Sequence, residues 1–218
     1  WAMSFRRGMP GIFDGPGPDA PFTPEHGLRK VGKVSKDRTG TRVHYWPDRQ
    51  IFLAGAELSV SHLLDRARQT AFLVPGLELV VHDRRSGEPV TETFRFNGGI
   101  SEFVDYLAAD EPITDVLRIR GRESFTETVP MLDSNGAMTP TDVDRDLDID
   151  IAVRWGNGYD TVERSFVNIV ATPKGGTHIA GFERGLLRAF QTGLEGTRLL
   201  KASDEIVKDD VLEGMTAV

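Results

Sequence analysis

Cysteine is absent from the 218 residues, so structural disulfides and zinc or iron–sulfur sites held by cysteine are excluded. No apolar run approaches the roughly 20 residues that a membrane-spanning helix needs, and no signal peptide is visible, so we expect a cytoplasmic protein without membrane contact. Positive charge is also scarce, because 26 lysines and arginines face 33 acidic residues, for a formal charge of −7. That balance argues against a protein that wraps nucleic acid over its whole surface.

The length and the 39 % apolar content are those of a folded protein with one large or two small domains. The chain opens on Trp1 inside a predicted strand rather than on an initiator methionine. Its last ten residues, 209–218, predict a helix that runs into an apolar end without a stop signal. We therefore expect the chain to be part of a longer protein.

The first half predicts a loop, a strand, and a helix backed by two further strands. Residues 8–24 are dense in glycine and proline, which predicts a long surface loop, whereas residues 41–46 are rich in the β-branched and aromatic residues typical of a strand. A helix over 59–73 is predicted from a serine N-cap and apolar side chains at helical spacing. Two antiparallel strands, 77–83 and 90–96, follow it.

The second half predicts a sheet with helices, beginning after the glycine-rich stretch 97–99. A short amphipathic helix over 100–107 precedes a strand over 117–121, and the polar residues 123–147 predict an insertion with its own hairpin. An alternating strand over 148–155 follows. We expect 162–171 to return as its antiparallel partner, and Thr177 to cap a final long helix.

Five aspartates recur at every second position from 142 to 150. A calcium-binding loop of the EF-hand type would need glycine at its sixth position and glutamate at its twelfth, where this chain has Leu147 and Val153. The run is therefore interpreted as the solvated face of a strand.

Two other patterns leave alternatives open. Arg118, Arg120 and Arg122 share one face of a predicted strand, which suits either contact with a polyanion or a plain solvated face. The stretch Gly175-Gly176-Thr177 before the last long helix suits either an anion site or a tight turn with a threonine cap, and such turns are far commoner than anion sites. The neighbouring His178 suits either a catalytic base or a hydrogen-bonded structural histidine, and we favour the structural one.

Three stretches, in this order, resemble the B subunits of DNA gyrase and topoisomerase IV. Residues 39–48, TGTRVHYWPD, resemble the stretch TGT-x-V-x-[FY]-WPD of those subunits. Residues 172–182, TPKGGTHIAGF, contain a match to their GGTHxxGF signature, and residues 209–218, DDVLEGMTAV, resemble their DDxxEGLxAV helix. The polar stretch 123–147 is similar to an insertion of actinobacterial members.

The resemblance implies an α+β fold in two parts. Residues 1–93 would be the distal part of a GHKL ATPase domain, an α/β sandwich, and residues 94–218 a truncated transducer domain that resembles the second domain of a small-subunit ribosomal protein. It implies ATP and Mg²⁺ as cofactors, DNA as substrate, and two partners: the A subunit, in a heterotetramer, and a second B subunit, by ATP-dependent dimerisation. The implied function is the coupling of ATP binding and hydrolysis to DNA strand passage.

The resemblance assigns two nucleotide-binding residues, and no catalytic or metal-binding residue. Thr41 matches the threonine of the family's adenine pocket and Val43 an apolar wall of that pocket; two residues apart on a strand, they would share one face. The family's general base, magnesium-binding asparagine and phosphate-contacting lysine would lie outside the chain, so the chain alone is expected to have negligible ATPase activity. Two other hypotheses compete: a nucleotide-free interaction module that reuses the transducer fold, and another GHKL relative such as a mismatch-repair ATPase.

Overall fold

A computed structural model of the chain describes residues 1–48, 50–53, 55–85, 87–197, 199 and 205–218. The helices and strands in chain order are β1 Ser4–Arg6, β2 Met9–Phe13, β3 Phe22–Pro24, α1 Val60–Leu73, β4 Leu79–Asp83, β5 Val90–Phe94, α2 Ile100–Leu107, β6 Leu117–Leu132, β7 Met138–Trp155, β8 Val162–Glu163, β9 Phe166–Val167, β10 Val170–Ala171, α3 Thr177–Leu194, α4 Lys208–Leu212 and β11 Met215–Ala217. This mixture of helices and sheets confirms the predicted α+β class. Among these helices none combines the length and the apolar character needed to cross a bilayer.

The chain divides into two compact units, residues 1–58 and 59–218. The first unit is built on a three-stranded antiparallel sheet with the order β1-β2-β3. Phe13 and Phe22 lie across from each other with ring centroids 4.9 Å apart, and the guanidinium carbon of Arg6 lies 5.1 and 5.4 Å from the two centroids. Only glycine fits at position 11, because a Cβ atom there would lie 2.4 Å from the Phe22 ring.

Two predictions for the first unit are wrong. Residues 8–24 contain β2 and β3 rather than one long loop, because the cross-strand contact of Phe13 with Phe22 stabilises pairing that the glycine and proline content conceals. Residues 41–46 lie outside every strand of the described chain. Their β-branched and aromatic side chains favour a strand, but a strand also needs a partner with which to pair.

The second unit begins with a helix packed on a hairpin, as predicted. The Ser59 hydroxyl accepts a hydrogen bond from the backbone N–H of His62 at 3.3 Å, which caps α1. Ala67 and Ala71 of α1 pack against Phe94 of the antiparallel β4–β5 hairpin in a buried cluster. Helical periodicity and the turn between the strands therefore predict this part of the fold correctly.

An aromatic stack joins α1 to the elements that follow it. The ring of Phe72, only 2 % exposed, lies parallel to the rings of Phe96 and Phe103, with centroid distances of 3.5 and 4.7 Å. Stacked and buried rings of this kind add to the hydrophobic contribution of their area. The stack fixes α2 against the end of α1.

The main sheet of the second unit has the strand order β6-β7-β11-β8, in which β11 runs antiparallel to β7 and parallel to β8. Both faces of the end of β7 are covered. Ala152 belongs to a buried cluster with α2, whereas Val153 faces the opposite side and packs with Met215, beneath Phe182 of α3. The sheet is therefore a middle layer between helices.

A long hairpin extends from this sheet. β6 pairs with β7 along its whole length, from Leu117 opposite Val153 to Leu132 opposite Met138. The Asp133 carboxylate closes the turn by accepting hydrogen bonds from the backbone N–H groups of residues 135 and 137 at 2.8 and 2.9 Å. The predicted insertion at 123–147 is thus the outer part of this hairpin, which confirms the expected hairpin.

Two predictions for the segments that pair with β7 are wrong. Residues 209–218 are not one helix, because α4 ends at Leu212 and the following β11 is inserted between β7 and β8. Residues 162–171 are not the antiparallel partner of 148–155, since β6 and β11 occupy the two edges of β7. Local sequence patterns do not encode which distant segment fills a sheet edge.

The buried position of β11 predicts that Met215→Ala destabilises the protein strongly. Met215 is 0 % exposed and lies in the cluster beneath α3, so its truncation leaves a cavity and is expected to lower the free energy of unfolding by about 3 kcal/mol. Urea denaturation followed by circular dichroism measures this. Met131→Ala serves as the control, because Met131 is 47 % exposed on the hairpin. Equal losses in the two variants would contradict the assigned place of β11.

Candidate functional site

The two residues assigned to a nucleotide pocket lie in an exposed, extended segment of the first unit. Thr41 and Val43 are both exposed, and Val43 has 81 % of its surface open to solvent. Neither side chain forms a hydrogen bond or ion pair with another residue of the described ranges. In the described part of the chain both side chains are therefore open to solvent, and their role in a nucleotide pocket stays a prediction.

The end of this segment is anchored to the first unit at Trp46 and Asp48. The Trp46 ring lies 6.0 Å from the Phe13 ring and 4.3 Å from the His44 ring, centroid to centroid. The Nε of Arg7 donates to the Asp48 carboxylate at 3.1 Å, and that carboxylate also accepts from the backbone N–H of Gln50 at 2.9 Å. These contacts give the WPD stretch a structural role in holding the segment that precedes it.

The glycine-rich turn before α3 is a structural turn. Gly176, not Thr177, occupies the N-cap, with no side-chain hydrogen bond, so the predicted threonine cap is wrong. Gly176 has a backbone φ of 156°, which L residues rarely adopt, and a Cβ atom there would lie 2.8 Å from the His178 ring, so this turn favours glycine. Nε2 of His178 is hydrogen-bonded to the Thr172 hydroxyl at 3.2 Å, in agreement with the interpretation of a structural histidine.

The aspartate run and the arginine stripe face each other across the hairpin. Every carboxylate of the run accepts a hydrogen bond from a side chain of β6, and the pairs are Thr128–Asp142 at 2.6 Å, Thr126–Asp144 at 2.8 Å, Ser124–Asp146 at 2.9 Å, Arg122–Asp148 at 3.2 Å and Arg118–Asp150 at 2.7 Å. The guanidinium group of Arg120, the middle arginine of the stripe, also reaches Asp150 at 3.4 Å. Three positive charges thus share a face with five negative ones.

This pairing argues against the arginine stripe as a site of DNA contact. The hydrogen bond from Arg118 holds the pKa of Asp150 below its ordinary value, and the same bond raises the pKa of Arg118. Both groups therefore stay ionised and paired at neutral pH, and the face carries an excess of negative charge that repels phosphate. The stripe is a compensated strand face, the second of the two alternatives that the sequence leaves open.

A buried arginine at the end of β7 is absent from the sequence-based candidates. The Arg154 residue is 6 % exposed. One terminal nitrogen of its guanidinium group donates a hydrogen bond to the Asp105 carboxylate at 3.4 Å. The other donates to the backbone carbonyl of Asp110 at 2.7 Å and to the Asp110 carboxylate at 3.3 Å. The backbone N–H of Gly158 and then Arg154 lower the pKa of Asp110. Strand alternation places Arg154 on the same face as the aspartate run, and the packing of α2 over the end of that face buries it.

Glu163 of β8 is a second ionisable group that sequence patterns do not single out. Its Oε1 is buried and has no hydrogen-bond partner in the described chain. Burial and then the neighbouring Glu183 raise the pKa of Glu163 above the 4.5 of a solvated glutamate, while Lys208 and His178 act in the opposite direction. Lys208 itself is paired with Glu183 at 3.2 Å.

The described residues gather no group of three or more histidine or carboxylate side chains that could hold a metal ion. The carboxylates of Asp110 and Asp150 are committed to hydrogen bonds with Arg154 and Gly158 and with Arg118, respectively, and Glu163 has a buried oxygen without a partner in the described chain. Their chemistry does not fit a Mg²⁺ site within these parts of the chain.

Comparison with known proteins identifies relatives of the chain. The sequence pattern of the family described as DNA gyrase B matches residues 99–218. The B subunit of DNA topoisomerase 4 from Staphylococcus aureus, strain MW2, is 33 % identical over 198 residues, which is 90 % of this chain and 26 % of that protein. The same protein from strain NCTC 8325 gives the same values. The chain therefore spans about a quarter of the length of these curated relatives.

Two solved structures share the fold. The 43K ATPase domain of Thermus thermophilus gyrase B, crystallised with an aminocoumarin, superposes with a TM-score of 0.55 at 26 % identity, over 78 % of this chain and 41 % of that one. The B subunit of DNA gyrase from Myxococcus xanthus gives a TM-score of 0.53 at 24 % identity, over the same shares of the two chains.

The position of Glu163 predicts a pH-dependent gain in stability from Glu163→Gln. The folded state binds the proton of Glu163 more tightly than the unfolded state does, because the pKa of this carboxyl is raised by folding. The ionised carboxylate therefore lowers the free energy of unfolding at pH values above the raised pKa. This loss disappears below the pKa of 4.5 that the group has in the unfolded chain. The variant is expected to be more stable than the parent at pH 7 and equal to it near about pH 4. Urea denaturation at both pH values measures the difference.

Glu127→Gln is the control for that measurement, because Glu127 is half exposed and paired with Arg145. It should not gain stability at pH 7, since a surface ion pair contributes at most about 1 kcal/mol in favour of the parent. A Glu163→Gln variant no more stable than the parent at pH 7 would refute the assigned burial cost.

Proposed function

We propose, from the premise that this chain belongs to the DNA gyrase B family of type II topoisomerase B subunits, that the protein couples ATP binding and hydrolysis to the passage of one DNA segment through another. The observation that carries the proposal is the family match over residues 99–218, which contain the whole four-stranded sheet together with α2 and α3. Membership of this family also disfavours the mismatch-repair alternative. ATP, Mg²⁺, DNA, the A subunit and a second B subunit are the proposed ligands and partners of the whole subunit.

The domain assignment is part of the proposal. Residues 1–93 would contribute to an ATPase domain and residues 94–218 would form the transducer. The start of the family match at residue 99 supports a boundary in this region. The aromatic stack of Phe72, Phe96 and Phe103 bridges that boundary, so a displacement of α1 would be passed on to α2 through rigid, buried contacts.

The nucleotide contacts proposed here are limited to one wall of a pocket. Thr41 would offer its hydroxyl to the adenine ring, directly or through water, and Val43 would provide an apolar surface beside it. Support comes from the sequence of the 39–48 stretch and from the exposure of both side chains, which leaves them free to contact a ligand. Mg²⁺, when bound to the whole subunit, would supply charge neutralisation at the phosphates.

We predict that the 218-residue chain alone binds ATP very weakly and does not hydrolyse it, because one exposed wall buries too little of a nucleotide for tight binding. Isothermal titration calorimetry with a non-hydrolysable ATP analogue and Mg²⁺ measures the affinity, and a phosphate-release assay measures turnover. A micromolar dissociation constant for the chain alone would show that its residues suffice for a site.

A second prediction concerns Thr41 in the intact subunit that contains this chain. Thr41→Ala removes one hydrogen-bonding hydroxyl, worth about 1 kcal/mol, so the KM for ATP should rise about five- to tenfold. ATP turnover of the intact subunit measures this. Ser35→Ala is the matched control, because Ser35 is an exposed hydroxyl of the same segment outside the 39–48 stretch, and it should leave KM unchanged. Equal KM values in both variants would remove Thr41 from the pocket.

A further inference from the structure

The strongest local charge excess in the first unit lies between residues 29 and 38. This stretch, the cationic loop, holds five cationic side chains and one carboxylate, and the cations are Arg29, Lys30, Lys33, Lys36 and Arg38. Its net charge is +4, whereas the whole chain carries −7, so the other 208 residues carry −11. The net charge of the loop is therefore opposite in sign to that of the rest of the chain.

The cationic loop is exposed, and the chain is anchored to the first unit on either side of it. Residues 30–38 are all exposed and form no helix or strand; the backbone N–H of Arg38 donates to the Ser35 carbonyl in a turn. At its start, Arg29 exchanges two backbone hydrogen bonds with Ala2, at 2.8 and 2.9 Å. After its end, Asp48 is held by Arg7. The loop is therefore presented on a fixed base while its charged side chains remain in water.

None of the five cations forms an ion pair within the described ranges of the chain. The arginines of the β6–β7 hairpin give the opposite case, because Arg118, Arg120, Arg122 and Arg145 each face a carboxylate. Five unpaired like charges within ten residues repel one another, and a polyanion would relieve that repulsion while releasing its own counterions.

We infer that the cationic loop binds the phosphate backbone of duplex DNA without reading its sequence. Extended backbone advances by about 3.3 Å per residue, so Lys30 and Lys36 can lie up to about 20 Å apart, and duplex DNA offers one charge per about 1.7 Å of its axis. No helix is available in the loop to enter a groove, so the contacts are ionic. The choice of DNA among polyanions rests on the proposed function.

The test compares the chain with a variant of the cationic loop and with a control variant that has the same net charge as the loop variant. A labelled DNA duplex of about 30 base pairs is titrated with the protein between 50 and 200 mM salt, and fluorescence anisotropy gives the affinity. The parent should show a salt slope of up to about −4.5, or −0.9 for each of five contacts. In Lys30→Gln/Lys33→Gln/Lys36→Gln the slope should become shallower by about 2.7, and the affinity should fall at least about tenfold at the lowest salt.

The control is Arg120→Gln/Arg122→Gln/Arg145→Gln, which changes the net charge by the same amount at exposed, ion-paired positions. It should keep the parent's slope. Circular dichroism should be unchanged in the loop variant, because the substituted residues lie outside helices and strands. Equal weakening in the two variants, no binding by the parent at the lowest salt, or tighter binding to an RNA duplex of the same sequence would each overturn the inference.

The result that would refute the loop assignment can be distinguished from the result that would refute the proposed function. If the loop variant binds DNA as the parent does while the intact subunit, assembled with its A subunit, still performs ATP-dependent strand passage, the loop assignment is wrong and the proposed function stands. If the intact assembly performs no ATP-dependent strand passage, the proposed function is wrong, whatever the DNA affinity of the loop.

Discussion

The insertion of β11 between β7 and β8 is the constraint on which the rest of the second unit depends. β11 supplies Met215 and Ala217 to the cluster beneath α3, and its neighbour Val218 to the cluster beneath α2, so one short strand contributes to both hydrophobic layers. It also satisfies the backbone groups along one edge of β7. Because sheet pairing and two cores depend on the four residues 215–218, the helices on either face cannot move independently of that segment.

The same strand β7 has two physical environments along its length. Near Ala152 and Arg154 it is covered by helices, and even a guanidinium group is buried there among hydrogen-bond acceptors. From residue 150 back toward the hairpin turn it is solvated, and its carboxylates are satisfied by hydroxyl and guanidinium groups of β6. The hairpin arm is therefore held by cross-strand polar pairs rather than by a core, which suits a surface extension.

Sequence patterns predict the elements that are stabilised locally. The helical stripe of α1 with its Ser59 cap, the β4–β5 hairpin and α2 follow from spacing and turn residues, and all are present. The place of β11 and the absence of a strand at 41–46 in the described chain depend on which distant segment lies beside them, and short-range patterns contain no information on that. Burial of Arg154 is hidden for the same reason, since only the tertiary position of α2 removes it from water.

Charge, finally, has to be judged pair by pair rather than from sequence runs. The arginine stripe at 118–122 and the cationic loop at 29–38 look alike as runs, yet the structure gives the stripe a row of carboxylate partners and leaves the loop without one in the described chain. A phosphate approaching the stripe would have to displace a bidentate carboxylate at 2.7–2.8 Å, whereas at the loop it would displace only water. Because displacement of a bound carboxylate opposes binding, the proposed DNA contact falls to the short cationic loop rather than to the arginine stripe.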